Sequence, residues 1–399
     1  MNSVIKRKRS RKLYLLSIIN SIYRNHIYKN IGYNEYQKYL GLSKKYEGIA
    51  WLLVPLLPCW IFARFIKALF ILVVNRKVIH LKVNNYFLST SIALSRVSKH
   101  ANMLGNDYVW LERPFADTKE IDNKFKVRFY NLISLQELIA CCLDSCIVSL
   151  YSLRKYGLKY IFDNKYSLDW FIYFYMTCKI PDGSNVCFCN QQDKWVPLLD
   201  SIDGCKKVFI QHGTEMIRYE ANADKSTMKY LSNLGCWVMD MPYKYKNVDL
   251  AYVFTHDEFL ALNAAIFRCS PECCIIGYEM KLTNISTQKN SVLIVGYFRE
   301  YGEYEKRVVD LLKNEELDIF IKNHPTVDVS VYSIYDDISN IHIINEPVFP
   351  KVDLVISYES TLALEYESYG IKVIYYNDII SNNFVDIVYV INNLCSKHE

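Results

Sequence analysis

The stretch Val352–Tyr376, VDLVISYESTLALEYESYGIKVIYY, leaves the chain few choices of fold. Val352, Leu354, Val355 and Ile356 make an apolar run of strand length. Ser357, Ser360 and Thr361 then crowd the point where a helix would begin, and hydroxyl side chains satisfy the free N–H groups of a first helical turn. Leu362, Leu364, Glu365 and Tyr366 continue that helix. Gly370 stands where a C-cap glycine belongs, and Ile371–Tyr376 is a second apolar strand. Strand, helix and strand make a βαβ unit of a parallel sheet. The loop after its first strand offers hydroxyls, backbone N–H groups and the positive end of a helix, which together suit a phosphate.

The same alternation recurs upstream. Tyr108–Leu111, Asn185–Cys189 and Lys207–Gln211 read as strands, with Leu132–Leu153 and Asp193–Ile202 as helices. Lys77–Val83 alternates like a strand, and Phe87–Val97 looks helical. Ala251–Thr255 is a strand with the helix His256–Ile266 behind it. Ser291–Gly296 opens a further unit, whose helix is Tyr304–Leu312. Leu317–Ile321 and Ile341–Ile344 are its next strands. The expected class is therefore α/β with parallel sheets. At 399 residues there is material for two full-sized cores. The pattern breaks around Met239–Lys246, so the division is expected there: a basic and hydrophobic segment 1–75, a first domain 76–245 and a second 246–399.

The N-terminal segment has its own chemistry. Lys6, Arg7, Lys8, Arg9, Arg11, Lys12, Arg24, Lys29, Lys38, Lys44 and Lys45 face a single acid, Glu35, in the first 46 residues. Such a block suits an anionic membrane surface or a nucleic acid. No nucleic-acid recognition motif accompanies it, so a nucleic-acid partner is not expected. Ile49–Val74 follows and is long enough to span a bilayer, though Arg64 and Lys67 interrupt it and Pro55 and Pro58 would kink it. Three readings stand: a helix in the membrane interface anchored by Trp51 and Trp60, a buried helix followed by a core strand Leu69–Val74, and a true span. No cleavable signal peptide is read, because Leu13–Ile22 is short and has no small-residue cleavage site. Thirteen cysteines without metal-ligand spacing suggest a reducing compartment. The expected location is cytoplasmic, peripheral on the inner face of the cell membrane.

Three motifs fall at the carboxyl ends of strands, the edge where open α/β sheets bind ligands. They are His212-Gly213-Thr214, His324-Pro325 and Ser357 with Ser360-Thr361. Lys322 and Arg299 sit where a cation would help hold phosphate. No Asp-x-Asp stands beside a strand end, and Asp336-Asp337 reads as a solvated turn, so metal-independent chemistry with no cofactor is expected.

From about Asn185 to Tyr376 the pattern resembles glycosyltransferases of the GT-B architecture, two Rossmann-like domains facing across a cleft. Within them it is similar to bacterial surface-polysaccharide transferases with a Lys-x-His-Pro motif and a later Ser-Ser or Ser-Thr motif. Bacterial sialyltransferases and polysialyltransferases share that pair, as do CDP-glycerol and CDP-ribitol phosphotransferases, which also carry a His-Gly-Thr motif. The resemblance implies a nucleotide-sugar donor (CMP-, CDP- or UDP-linked) and a hydroxyl acceptor on a lipid-linked glycan, in capsule or O-antigen assembly. It implies that His324 contacts nucleotide or phosphate and that Pro325 shapes its turn. Ser360 and Thr361 would hold donor phosphate, and Glu365 a ribose or sugar hydroxyl. His212 would be the general base, with Glu215 orienting it or acting in its place. The chain departs from the sialyltransferases in having Gln211-His212-Gly213 where a paired-acid-glycine motif is expected. It departs from the phosphotransferases in having Gln before His212 and Tyr358-Glu359-Ser360-Thr361 in place of Asp-Tyr-Ser-Ser. A polyol-phosphate transferase and an inactive GT-B scaffold remain the alternatives.

Overall fold

The computed structural model describes residues 56–75, 77, 79, 81–88, 107–115, 125–156, 167–189, 196–200, 202–213, 216–218, 228–231, 236–239, 245–278, 280–285, 290–296, 298–323, 329–344, 348–358, 360–376, 379 and 391. The chain divides into two units, Met1–Met216 with Asp224–Ile276, and Ile217–Ala223 with Gly277–Glu399.

The first unit is built on a seven-stranded sheet. Its strands are β1 (Asn85–Leu88), β2 (Tyr108–Leu111), β3 (Lys126–Val127), β4 (Asn185–Phe188), β5 (Lys206–Ile210), β6 (Leu250–Val253) and β7 (Glu272–Ile275). They lie in the order β7-β6-β5-β4-β1-β2-β3, and every neighbouring pair is parallel. The chain starts in the middle, winds to one edge, returns and winds to the other. That reversal makes a switch point between β1 and β4. Parallel strands need covered faces, and β1 is buried at all four positions. The cover includes α1 (Leu56–Asn75), α2 (Phe129–Leu132), α3 (Leu135–Tyr156), α4 (Ser167–Thr177), α5 (Val196–Asp200) and α6 (His256–Ala265). Each residue of α4 is buried.

The second unit repeats the plan in five strands: β9 (Asn290–Gly296), β10 (Leu317–Asn323), β11 (Ile341–Ile344), β13 (Leu354–Ser357) and β14 (Lys372–Tyr375). The order is β11-β10-β9-β13-β14, all parallel, so the switch point lies between β9 and β13. α7 (Phe298–Leu312) follows β9, and α8 (Thr361–Ser368) joins β13 to β14. Two short strands, β8 (Leu282–Thr283) and β12 (Phe349–Pro350), pair beside this sheet. The α/β class and the parallel sheets expected from the sequence are therefore present, each wound in the Rossmann sense.

Four expectations need correction. The division falls after Ile276 and not at 245, because β6 pairs with β5 and β7 with β6 in the first sheet. Of the segment expected at 1–75, the described residues 56–75 belong with the first unit, since Ala68 and Leu72 of α1 lie in its core, and the rest lies outside the described residues. α1 runs unbroken to Asn75, so no strand occupies Leu69–Val74. Among the described residues of Lys77–Val83 there is no strand, and Phe87 and Leu88, expected in a helix, lie in β1. The rest of Phe87–Val97 lies outside the described residues.

Candidate functional site

In the first unit, β5 delivers its chain to Gln211 and His212 at the carboxyl edge of the sheet, one strand from the switch point. Gln211 is fully buried. Its backbone N–H continues the ladder by donating to the Tyr252 carbonyl (2.9 Å). Its side chain then makes three bonds. Oε1 accepts the Phe254 N–H (2.9 Å), and Nε2 donates to the Gly213 carbonyl (2.9 Å) and to Glu258 Oε2 (3.0 Å). The turn carrying His212 is thus pinned to the end of β6 and to the first turn of α6.

Glu258 is itself placed by sequence. Thr255 caps α6, and its Oγ1 accepts the Glu258 N–H (3.1 Å). This is the Thr-x-x-Glu pattern of a capping box, with the Glu carboxylate meeting Gln211. Glu258 is fully buried, and a buried carboxylate requires hydrogen-bond donors. His212 is half-buried with its Nδ1 turned inward. Glu215, expected to help it, lies outside the described residues. Sequence reading missed Gln211 and Glu258 as site residues. The capping signal at Thr255 was the only clue, and nothing local ties position 258 to position 211.

In the second unit the βαβ unit read from sequence is present. Ser360 is the N-cap of α8, in extended backbone, and its Oγ accepts the Ala363 N–H (3.1 Å). Gly370 has φ +77°, the left-handed value that favours glycine. Ser357 Oγ donates to the Tyr358 carbonyl (2.7 Å) and lies 3.0 Å from Ser360 Oγ. With the Ser357 proton on Tyr358, the Ser360 hydroxyl is left to donate to Ser357. Both hydroxyls are buried and serve the loop and the helix start, where the Ala363 N–H meets Ser360 Oγ and the Leu364 N–H the Ser360 carbonyl (3.4 Å), and Thr361 stands half-buried beside them at the positive end of α8. Glu365 is buried one turn behind Thr361.

Register places the cation. Lys322 is level with Val295 of β9, and Ile294 is level with Ile356 of β13. Lys322 and Ser357 therefore stand at the same edge, two strand spacings or about 10 Å apart. The Lys322 Nζ lies 4.8 Å from the Phe349 ring centroid. Burial holds its ammonium below the usual lysine range, and an anion nearby would reverse that.

Between them, Gly296 ends β9 at the switch point. A Cβ there would fall on the Tyr332 hydroxyl, which donates to buried Glu305 Oε2 (2.6 Å). Burial and the Glu305 carboxylate push the Tyr332 phenol up. Arg299 lies in the first turn of α7, directly after this strand, but its side chain lies outside the described residues. So do His324 and Pro325. Asp336 and Asp337 are exposed in a turn. Among the described residues no three of His, Cys, Asp or Glu stand close enough to share a metal ion.

No family model matches the chain, and no curated protein matches it. Among solved structures, MurG of Acinetobacter baumannii is similar at 11% identity over 79% of this chain and 94% of its own, with a TM-score of 0.37. The wall teichoic acid polymerase TagF is similar at 9% identity over 79% and 77%, also at 0.37. A GtfA/B complex is similar at 10% identity over 51% and 44%, at 0.30. Identities and scores this low leave the strand orders as the ground for the fold.

Proposed function

We propose that the chain is a metal-independent glycosyltransferase of GT-B type, working at the inner face of the cell membrane. It moves a sugar from a CMP-, CDP- or UDP-linked donor to a hydroxyl of a lipid-linked glycan in capsule or O-antigen assembly. The observation that carries this reading is the switch-point edge of the second unit. There a capped helix start, Gly296 and Lys322 gather at one sheet edge in the pattern that receives a nucleotide phosphate.

In this reading the acceptor oxygen attacks the anomeric carbon as the bond from that carbon to the phosphate oxygen breaks. The leaving phosphate takes up the electron pair beside Thr361, Lys322 and the helix N–H groups. His212 takes the acceptor proton, a task suited to a group that titrates near neutrality. His324 and Pro325 join the donor side and Glu365 the ribose or sugar. In the same reading Glu215 orients His212 or acts in its place, and Arg299 adds charge near the phosphates.

The test is thermal stabilisation against CMP-, CDP- and UDP-linked compounds, followed by product analysis. A true donor at about a hundred times its Kd adds about 2.7 kcal/mol. Replacing His212 by Ala is expected to abolish transfer and keep that stabilisation. No stabilisation by any nucleotide, together with unchanged polymer output from the His212→Ala strain, would overturn the reading in favour of a scaffold. Phosphodiester links in the product would identify a polyol-phosphate transferase, the reading that His212-Gly213 at a strand end also suits.

A further inference from the structure

Two long helices of the first unit present apolar side chains to the outside. On α3 the exposed stripe is Leu135, Ile139, Leu143, Ile147 and Leu150, spaced by three and four so that all lie on one side. The covered side of the same helix holds Asp144, Ser145 and Ser149 among its buried residues. Ser145 Oγ donates to the Cys141 carbonyl (2.7 Å), and Ser149 Oγ lies 3.5 Å from Ser167 Oγ. A helix on a water-facing surface has the opposite polarity.

α1 packs against α3 and shows the same trait. Phe62, Ile66, Phe70 and Val73 are exposed, and Ile61, Ala68 and Leu72 are buried. Twelve of the fourteen exposed large apolar side chains described in the first unit lie on these two helices, which makes them a face and not a scatter.

The charges on the two helices are arranged to match. Arg64 of α1 pairs with buried Asp169 of α4 (2.5 Å) and stacks over Phe115 (4.5 Å). Lys67 lies 5.6 Å from the same ring. Of the two acids on α3, Asp144 is buried and Glu137 is bound to Lys179 (2.6 Å). Among the described exposed side chains of both helices the charged ones are Lys67 and Arg154, both cationic.

We infer that α1 and α3 together form a docking face for a lipid bilayer with anionic headgroups. The occupant follows from charge. The 55 residues before α1 carry the eleven Lys and Arg named above against two acids, Glu35 and Glu47. A second copy of the chain would bring two such cationic segments together, whereas an anionic leaflet neutralises them. At 20 residues α1 matches a bilayer in length, about 30 Å, so length does not decide how it sits. Packing does: its inner side is in the protein core along the helix, and its Arg64 is committed to Asp169. It therefore lies along the membrane, with α3 beside it. This inference rests on the membrane location in the proposed function and names the surface that makes it, and its test needs no donor, so it can fail while the transferase reading stands.

The experiment is flotation of the full chain with phosphatidylcholine vesicles, with and without phosphatidylglycerol. The parent chain is expected to float with the anionic vesicles and far less with the neutral ones. The double variant Leu143→Glu with Ile147→Glu, which leaves the basic segment intact, is expected to lower anionic-vesicle partitioning by about tenfold or more. Phe62→Glu with Phe70→Glu should do the same, and Ile334→Glu on the second unit should do nothing. Circular dichroism and thermal melting check that each variant is folded. Parent-like partitioning by a folded α3 double variant would overturn the inference. So would a parent that is a dimer in detergent-free buffer and that this variant makes monomeric without loss of vesicle binding.

Discussion

Gln211 Nε2 donates to Glu258 Oε2 across 3.0 Å, joining two buried side chains 47 positions apart, one ending β5 and one opening α6. Every bond of the Gln211 amide holds the turn that carries His212. Replacing it by Leu keeps the volume and removes one hydrogen-bond partner each from a carboxylate, an N–H and a carbonyl. The expected loss is about 3 kcal/mol in chemical denaturation, since each hydrogen bond lost in a buried setting costs about 1 kcal/mol or more. Replacing it by Glu sets carboxylate against carboxylate, and like charges raise the pKa of the pair in the folded state. The folded variant then binds a proton that the unfolded chain releases. Its deficit relative to the parent should be largest at neutral pH and close on acidification through the raised pKa. Parallel stability curves for parent and variant would contradict this.

His212 itself is expected to act on the rate and not on the donor. His212→Ala should lower transfer by about 10²–10⁴-fold, the range typical of a general base. Donor-dependent thermal stabilisation should stay at the parent level. A loss of donor binding in this variant would move His212 to the donor side.

Ser360 offers a separation of roles, because its hydroxyl caps α8 in the structure. Ser360→Ala should cost about 1 kcal/mol of stability through the lost cap. Ser360→Asp should retain the cap and repel a phosphate at the helix start. Near-parental melting with lost donor stabilisation is the expected result for Asp. Equal donor binding by Asp and Ser would place the phosphate elsewhere.

Gly296 and Tyr332 should be coupled. Gly296→Ala drives a methyl into the Tyr332 hydroxyl, an overpacking expected to cost about 1–3 kcal/mol. Tyr332→Phe removes that hydroxyl and leaves Glu305 without this donor, also at about 1–3 kcal/mol. In the double variant the Ala methyl meets no hydroxyl. The combined loss should fall short of the sum of the two, as urea unfolding of all four proteins would measure.

Lys322 carries a pH signature. Its folded pKa is depressed by burial, so the unfolded chain holds that proton more strongly. The stability it contributes is lowest at neutral pH and rises as pH climbs from the depressed value toward the usual lysine value. Lys322→Met should remove that slope and leave the protein as stable or more so. Donor affinity should fall by about tenfold or more, the scale of a hydrogen bond to a charged group. A less stable Met variant with full donor affinity would assign Lys322 a structural role.

Much of this architecture was legible before the structure. Tyr108–Leu111 and Ile341–Ile344 are strands with the expected bounds, and Val352–Tyr376 folds as read, down to the Ser360 cap and the left-handed Gly370. These succeed because a buried parallel strand is a short apolar run and a helix start has its own chemistry. The failures also have physical causes. α1 ends in Ile71, Leu72, Val73 and Val74, a β-favouring run that stays helical because Leu72 is anchored in the core. α4 is buried all round and so lacks the periodicity that marks a helix. β7, Glu-Cys-Cys-Ile, is an edge strand with one neighbour and no fully buried residue, so its composition gives little away. The boundary at 245 followed the break at Met239–Lys246, which lies ahead of β6 and so assigned two strands of the first sheet to the second domain. Gln211 and Glu258 were beyond reach, because their partnership exists only once β5 and β6 are paired.

An inner strand of the first sheet sets a schedule for synthesis. β1 takes β4 as one of its two neighbours, and Asn185 Nδ2 donates to Asn85 Oδ1 (2.8 Å) across a separation of 100 residues. At ribosomal speeds of about 5–20 residues per second, β1 waits about 5–20 s for that neighbour to be made. During that interval a ladder edge carrying Tyr86, Phe87 and Leu88 is open on the nascent chain, and an early translational pause or a depleted holdase would be felt there first.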